Sequence, residues 1–307
     1  MAAIPPQLAE LEHLRGNRVL LYAGLINDDC LPVLYEYLRS RGRVERLDLV
    51  LSTIGGAPTA ARRLALLLRD YTKHLTILVP HRARSAGTLL CLGADELVLG
   101  PMAELGPLDA QVGSAGQPPP DAPGVISVQD IRAFRQMAEE WFGVDRDEDR
   151  LQVLALLAQR VFPASLSAFY RFDRMVRQIA EELLNYQLPD ADREPRQRII
   201  DQLVGGYQAH DYVLSRADAS RLGLRVLFPT IEEEGFLWEL MQACRAEIAE
   251  HPGQAEGEAI GLIAATDFHA REVQRWLDTP SWPHDEPRDE AASTPERLLN
   301  ARWEIAM

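Results

Sequence analysis

Short β-rich runs that alternate with segments of helical periodicity are the feature that most constrains how this chain folds. The β-rich runs lie at 18–22 (RVLLY), 48–53 (DLVLST), 75–79 (LTILV) and 96–99 (ELVL). Helical spacing occupies the stretches between them, which are 28–41, 57–71 and 85–93. This alternation, with its short connections, predicts βαβ units and a mainly parallel sheet.

Composition limits the classes of function. A chain of 307 residues with 47% apolar residues is long enough to bury a substantial core. Its formal net charge of −14 argues against a nucleic-acid partner or an anionic membrane surface. There is no apolar run long enough to span a membrane, and the first residues have neither the basic start nor the apolar core of a signal peptide. We therefore expect a soluble, cytoplasmic protein.

The three cysteines, Cys30, Cys91 and Cys244, are scattered along the chain, and no CxxC pair occurs. An odd number at such positions is typical of buried apolar side chains and not of a disulfide framework. We expect no metal site.

The sequence pattern changes after the last of the alternating units. Residues 113–124 are rich in Gly and Pro, and helical periodicity then runs almost throughout 127–194. The chain becomes polar near its end, and residues 279–295 are typical of a linker or a disordered tail. We therefore predict a main domain at 1–250 that contains a helical insert, and a polar, partly disordered C-terminal extension at 251–307. The apolar part of the extension, IGLIAATDFHAREVQRWL, could pack as a strand and a helix on a neighbouring subunit.

Two strand-to-helix corners carry the candidate chemistry: STIGG, which ends with Gly55 and Gly56, and ARSAG, which holds Ser85. Ligands of βα proteins collect where strand C-termini meet helix N-termini. The glycine pair can expose unpaired backbone N–H groups, and the helix that begins near Ala86 and Gly87 offers free N–H groups at its positive end. Together these groups would hold a negatively charged oxygen, at about 3–4 kcal/mol per donor in a transition state.

The residues leave two interpretations of Ser85 open. Serine is a preferred helix N-cap, and capping is far commoner than catalysis. A serine hydroxyl beside an oxyanion cradle is also in position to attack a substrate. Thr88 stands where a capping box requires an acidic or amide residue, so that motif is absent. Spacing alone favours the cap over the nucleophile.

Three stretches taken together resemble one family: LDLVLSTIGG (47–56), LTILVPHRARSAGTLLCLGADELVLGPMAELGPLDAQ (75–111) and HDYVLSRADASRLGLRV (210–226). They resemble the Clp-fold serine peptidases, and among them the serine dehydrogenase proteinase family, whose pattern includes a Pro-Gly-Gly turn, A-x-SAGT, GAD and LGP. The resemblance covers about residues 18–230. It implies an α/β protein with a ClpP/crotonase-like spiral of ββα units, a helical insert and a C-terminal extension. It also implies a homo-oligomer, as a ring or as stacked trimers.

The same resemblance implies a chemistry. It makes Ser85 the nucleophile of a serine peptidase that acts on peptides or unfolded protein, without a cofactor and without ATP of its own. Backbone N–H groups of Gly56 and Ala86 would then hold the oxyanion. Ile54 replaces the proline before the family's glycines, and Ala110 replaces the second proline of the LGPLDAQ element. Both exchanges are conservative for a role of the backbone.

A serine nucleophile needs a base to remove its proton. The single lysine, Lys73, lies upstream of the serine, which argues against the Ser–Lys pair of the signal-peptide peptidases that resemble this fold. ClpP-type enzymes carry a histidine in the segment that matches residues 102–112. Here that segment offers Glu104, Asp109 and Gln111 as its polar candidates.

His210 is the histidine that the resemblance favours. It lies in GYQAHDYVLS, which matches the region that carries the third triad member in ClpP-type enzymes. We hypothesise that His210 takes the proton of Ser85, and that Asp109 or Asp211 orients its imidazole ring.

Two other functions stay open. One is a catalytically silent oligomeric scaffold, which the missing histidine in residues 102–112 favours. The other is a crotonase-type acyl-thioester enzyme, because the same fold and oxyanion hole stabilise enolates. The SAGT serine argues against the second.

Overall fold

The computed structural model describes residues 4–108, 111–113, 125–160, 163–248, 259–277 and 298–305. The helices in these residues are α1 (Ile4–Arg15), α2 (Cys30–Arg41), α3 (Pro58–Tyr71), α4 (Ala86–Leu92), α5 (Val128–Phe142), α6 (Asp147–Arg160), α7 (Pro163–Gln187), α8 (Arg193–Gly205), α9 (Arg216–Leu222) and α10 (Ile231–Glu247). The strands are β1 (Arg18–Ala23), β2 (Val44–Ser52), β3 (Thr72–Val79), β4 (Arg82–Ala83), β5 (Glu96–Leu99), β6 (Glu104–Leu105), β7 (Gln111–Gly113), β8 (Val125–Ser127), β9 (Val226–Leu227), β10 (Ala259–Ala265), β11 (Phe268–Leu277) and β12 (Leu298–Ile305).

The main sheet has eight strands in the order β12-β11-β10-β1-β2-β3-β5-β9. Neighbours from β1 to β9 pair in parallel, whereas β10, β11 and β12 pair antiparallel. The predicted α/β class with a mainly parallel run of strands is confirmed.

Helices cover both faces of the parallel strands, which is why the buried stretches of those strands are largely apolar on both faces. In β2, Leu49 and Leu51 pack into the larger core beneath α2, α3, α4 and α7. Val50 points to the opposite face and packs with residues of α1 and α10. The alternation of buried side chains between two cores fixes the register of the strands.

A second, short ladder runs beside the main sheet and is built from the residues that follow its strands. Thr53, after β2, pairs with Ala83, and β4 pairs in parallel with β6. Leu105 of β6 exchanges two backbone hydrogen bonds with Leu214, at 3.0 and 2.9 Å. A main strand, a short extended segment and a helix therefore succeed one another, which is the predicted ββα unit. This ladder brings the corners at 53–56 and 82–85 side by side.

The segment predicted as a helical insert contains α5, α6 and α7 and the start of α8. Helix α7 is anchored to the larger core by Leu183 and Leu184, which are fully buried. Helix α7 packs against α3 and α4. Among the described helices, none has by itself the length and apolar character of a membrane span; α6 and α7 meet that criterion only as a pair bent by 104°.

The described part of the C-terminal extension lies in the main sheet, where β10 pairs with β1. The expectation of a helix after the first strand of this region is wrong, because residues 268–277 form β11. This strand is paired along its length with β10 on one side and β12 on the other. The predicted linker at 279–295 and the tail beyond Ile305 lie outside the described residues, and the domain boundary at 250 stays a prediction.

Candidate active site

Ser85 lies at the corner between β4 and α4 in an unusual backbone conformation. Its φ is 50° and its ψ is −113°, and among the described residues it is the one non-glycine with a positive φ. A conformation of this kind costs about 1–3 kcal/mol and persists only where the surrounding structure enforces it. The side chain makes no capping hydrogen bond to α4. The N-cap interpretation therefore fails, and the corner has the form of the strained strand-to-helix turn that presents a serine hydroxyl.

The glycine corner is held by the end of the β1 connection. The N–H of Ile26 donates to the carbonyl of Gly55 at 2.8 Å, and the N–H of Ala57 donates to the carbonyl of Ile26 at 2.8 Å. In such a parallel bridge the middle residue, here Gly56, directs its own N–H away from the partner strand. A Cβ at Gly56 would lie 2.1 Å from the carbonyl oxygen of Ile26, so only glycine fits.

The glycine corner and the serine corner are in contact. A Cβ at Gly55 would lie 3.0 Å from Cβ and 3.5 Å from Oγ of Ser85. Thr53 fixes this approach, because its Oγ1 accepts a hydrogen bond from the N–H of Gly55 at 3.0 Å. A Cβ at Gly87 would lie 2.4 Å from Cγ2 of Thr53. Glycine at 87 is therefore needed for close packing of α4 against Thr53.

Two backbone N–H groups remain available beside the serine. Among the described residues, the N–H groups of Gly56 and Ala86 donate no hydrogen bond within the protein. The N–H of Ala86 lies at the positive end of α4. Donors of this kind can hold an oxygen that becomes negative during attack by Ser85.

A cavity of about 290 Å³ opens at these corners. Its described lining comes from the two corners, from the start of α3, from α4 and α7, from the residues after β6, and from the connection between α8 and α9. The lining residues are Ile54, Gly56, Pro58, Ser85, Ala86, Leu89, Leu108, Phe172, Val176 and His210. Among these residues, Ser85 and His210 alone carry side chains capable of nucleophilic or acid–base chemistry. The structure therefore places the predicted nucleophile and the predicted base on one cavity.

The connection that carries His210 is tied to the rest of the molecule on both sides. Before it, the carbonyl of Leu203 accepts a hydrogen bond from the N–H of Leu108 at 2.8 Å. After it, Leu214 pairs with Leu105 in the short ladder. The rings of Tyr207 and Tyr212 stack within the connection, with centroids 4.6 Å apart. These contacts hold a loop without regular structure in place against the cavity.

Among the other candidates, the described side chains of Asp211, Lys73 and Glu104 do not line this cavity. Asp211 is exposed and is not among the described residues that line the cavity, and Asp109 lies outside the described residues. Lys73 is largely exposed at the start of β3 and donates to Glu45 at 2.7 Å. Glu104 pairs with Arg84 at 2.8 Å. Gln111 begins β7, and the structure describes only its backbone.

The cysteines offer no competing nucleophile. All three are free and buried. Burial raises the pKa of the Cys30 thiol to about 11 and that of Cys244 to about 12, and it raises the pKa of Cys91 further still. A thiol must be ionised to attack a substrate, so none of them is reactive near neutral pH.

Sequence reasoning missed two parts of the site. Phe172 and Val176 form a wall of the cavity from α7, about ninety residues after the serine. No motif links them to Ser85, and only the packing of α7 on α4 places them there. Thr88 was considered only as a capping position. Its hydroxyl donates to the carbonyl of Ala83 at 2.8 Å and accepts from the N–H of Gly106 at 2.9 Å, which ties α4 to the short ladder.

Two curated relatives come from Methanocaldococcus jannaschii, and both are described as uncharacterised. The chain is 29% identical to MJ0137 over 203 residues, covering 66% of this chain and 61% of that protein. It is 24% identical to MJ1495 over 234 residues, covering 71% and 70%. The chain therefore spans about three fifths of the length of the first relative.

Two solved structures are similar. A ClpP1 mutant from Listeria monocytogenes matches at 13% identity and a TM-score of 0.40, covering 73% of this chain and 99% of that one. A mutant of the 1510-N membrane-bound stomatin-specific protease matches at 14% identity and a TM-score of 0.44, covering 71% and 82%.

The sequence also matches a family model, described as ClpP-like SDH-type serine proteinase, over residues 20–135. This range contains the glycine corner, Ser85 and the LGPLDAQ element. The resemblance to the serine dehydrogenase proteinase family is thereby confirmed for this part of the chain.

Proposed function

We propose that the protein is a serine peptidase that hydrolyses peptide bonds through Ser85. The observation that carries the proposal is the strained backbone of Ser85 in contact with a glycine corner, with the N–H groups of Gly56 and Ala86 left available. The match of residues 20–135 to a serine proteinase family model supports the same reaction class.

The mechanism follows from the groups on the cavity. His210 removes the proton of the Ser85 hydroxyl while Oγ attacks the carbonyl carbon of the peptide bond. The carbonyl oxygen becomes negative and is held by the N–H groups of Gly56 and Ala86. The imidazolium then gives its proton to the leaving amine, and water, activated by the same ring, hydrolyses the acyl-enzyme.

Asp109 or Asp211 orients the imidazole of His210 in this proposal. Asp211 is not among the described residues that line the cavity, which argues against it as the partner of His210. Asp211 is also exposed. We therefore favour Asp109.

The substrate is proposed to be a peptide or an unfolded protein segment, cleaved without ATP by this chain itself. The described cavity lining other than Ser85 and His210 consists of apolar side chains and glycine, which favours an apolar residue beside the bond that is cleaved. We further propose a homo-oligomeric, cytoplasmic protein, for which the sequence resemblance and the composition are the support.

Labelling with a fluorophosphonate probe tests the proposed nucleophile. We expect covalent modification of the intact protein at one site, which peptide mapping by mass spectrometry assigns to Ser85. Ser85→Ala, shown by circular dichroism to be folded, is the matched control and should remain unmodified. A folded wild-type protein that takes up no probe would overturn the peptidase and favour the silent scaffold.

Replacement of His210 tests the proposed base. We expect His210→Ala to slow labelling of Ser85 by about 10²–10⁴-fold, because general-base assistance contributes that much. Asp109→Asn and Asp211→Asn, measured in parallel, identify the orienting carboxylate by which of the two slows labelling. Unchanged labelling of a folded His210→Ala protein would sink the assignment of the base.

A further inference from the structure

A second cavity, of about 470 Å³, lies on the other side of the segment that carries the glycine corner. It is bordered by the ends of β1 and β2, by the start of β4 and by the last turns of α10. Ile54 lines both this cavity and the one at Ser85. The two cavities are therefore neighbours.

Positive charge is concentrated on the second cavity, although the whole chain carries a formal charge of −14. Its lining includes His81, Arg82 and Arg245, and Nη2 of Arg245 lies 3.2–3.3 Å from the ring nitrogens of His81. In the part of the chain that the structure describes, neither arginine forms an ion pair with a carboxylate. The carboxylate whose charge acts on Arg82, Glu104, is engaged by Arg84 at 2.8 Å.

The guanidinium groups of Arg82 and Arg245 repel each other. Burial and the neighbouring charge of Arg245 lower the pKa of Arg82, and the same two causes lower the pKa of His81. An anion placed between them would relieve the repulsion, and guanidinium groups bind planar carboxylates through two parallel hydrogen bonds.

The rest of the lining defines what else the ligand must offer. Gln274 is 7% exposed, and its buried amide oxygen has no hydrogen-bond partner among the described residues. Its amide is therefore available to a polar ligand. Below it, Met241, Cys244 and Ile248 form an apolar floor. A bare inorganic anion would leave this floor uncovered, whereas an apolar group that ends in a carboxylate would fill both parts.

We propose that the second cavity binds the C-terminal carboxylate of a peptide whose scissile bond lies at Ser85, with the last apolar side chain on the floor. This inference rests on the proposed peptidase function. Arg82 and Ser85 are three residues apart on one segment, so their Cα atoms are at most about 11 Å apart. A peptide that spans this distance places its carboxylate about three residues beyond the cleaved bond.

Binding to the inert Ser85→Ala protein tests the proposal independently of catalysis. The probe is an apolar hexapeptide with an N-terminal fluorophore, prepared with a free C-terminal carboxylate and as the C-terminal amide. By fluorescence anisotropy we expect the acid to bind about tenfold more tightly than the amide, as for a charge-assisted hydrogen bond. In the Ser85→Ala background, Arg82→Gln and Arg245→Gln should remove the difference. Arg39→Gln, at an exposed position on α2, should preserve it.

Each result decides the matter. Equal affinity for the acid and the amide, or the same loss with Arg39→Gln, would overturn the proposal. Decanoate that displaces the acid peptide supports the combined apolar and carboxylate chemistry of the site. Decanoate binding that depends on Arg245, with equal affinity for both peptides, would assign the site to a free acid and overturn the peptide. Discrimination between the peptides without probe labelling of wild-type Ser85 would retain this site and reject the peptidase.

Discussion

Ser85 and Glu272 are two residues that this protein holds in unfavourable states, one beside the parallel half of the main sheet and one in its antiparallel half. Ser85, beside the parallel strands, has a strained backbone with φ of 50° and lies on a cavity. Glu272, in β11 of the antiparallel part, is 1% exposed, and burial raises the pKa of its carboxyl. The difference lies in access: the strained residue can meet a substrate, whereas the buried carboxyl is enclosed.

Glu272 instead supports the connection after β1, which holds the glycine corner. One of its oxygens accepts a hydrogen bond from Nδ2 of Asn27 at 3.0 Å, and the other has no partner among the described residues. Asn27 also accepts a hydrogen bond from the N–H of Cys30 at the start of α2, at 3.3 Å. The preceding residue, Ile26, holds the glycine corner. An unfavourable state thus indicates a functional residue only when it is combined with access to a ligand.

The largest effect is expected for Ser85, and it separates strain from chemistry. Both Ser85→Ala and Ser85→Gly should lower peptidase activity by about 10⁴–10⁶-fold, as removal of a serine nucleophile does. The glycine variant should also be more stable than the alanine variant by about 1–2 kcal/mol, because glycine adopts positive φ without strain. Chemical denaturation measures the difference. Equal stability of the two variants would show that the corner is not strained.

The next largest effect is expected for Gly56. This glycine lies beside Ser85, and its backbone is held by Ile26, the neighbour of the Asn27 that bonds Glu272. A Cβ there would lie 2.1 Å from the carbonyl oxygen of Ile26, and φ is 142°. We expect Gly56→Ala to displace an oxyanion donor and to slow labelling of Ser85 by about 10²–10³-fold, the cost of losing one donor. Its melting temperature should also fall.

Gly16→Ala is the matched control for Gly56→Ala. Gly16 has a φ of 67°, and a Cβ there would meet no atom within 4 Å. It should lose about 1 kcal/mol of stability and keep the wild-type labelling rate. Equal labelling rates for the two folded variants would argue against Gly56 as a donor.

The sequence predicted the elements whose signals are local. Four β-rich runs and the intervening helices were identified from periodicity, and Ser85 and the glycine corner were identified from short motifs. The choice between cap and nucleophile could not be made from spacing, because both use a serine at the start of a helix. The backbone angles of Ser85 and its missing capping bond decide against the cap.

Features that depend on distant partners were not predicted. The sequence predicts a helix in FHAREVQRWL, yet this segment pairs with β12, which lies beyond the predicted linker at 279–295. Pairing across both edges outweighs local preference there. The position of Phe172 on the cavity could not be predicted from the sequence either, because only the tertiary packing of α7 on α4 brings it there. The roles of His210, Asp109 and Asp211 stay predictions.

The smallest effect is expected for Glu272, and its pH dependence tests the other half of the comparison. Because the folded protein raises the pKa of this carboxyl, the folded state binds its proton more tightly than the unfolded state does. The charge therefore destabilises the fold as pH rises above the ordinary pKa of about 4.3, and below that pH the penalty vanishes.

Glu272→Gln keeps an acceptor for Asn27 and removes the charge. We expect its melting temperature to exceed that of the wild type by about 2 °C near neutral pH, with the gain shrinking toward about pH 5. Labelling of Ser85 should stay within about twofold of wild type, since Glu272 touches no substrate. Glu36→Gln, at an exposed position on α2, controls for removal of one negative charge. A lower melting temperature for Glu272→Gln near neutral pH would mean that the ionised carboxylate is stabilising, and the contrast with Ser85 would then be lost.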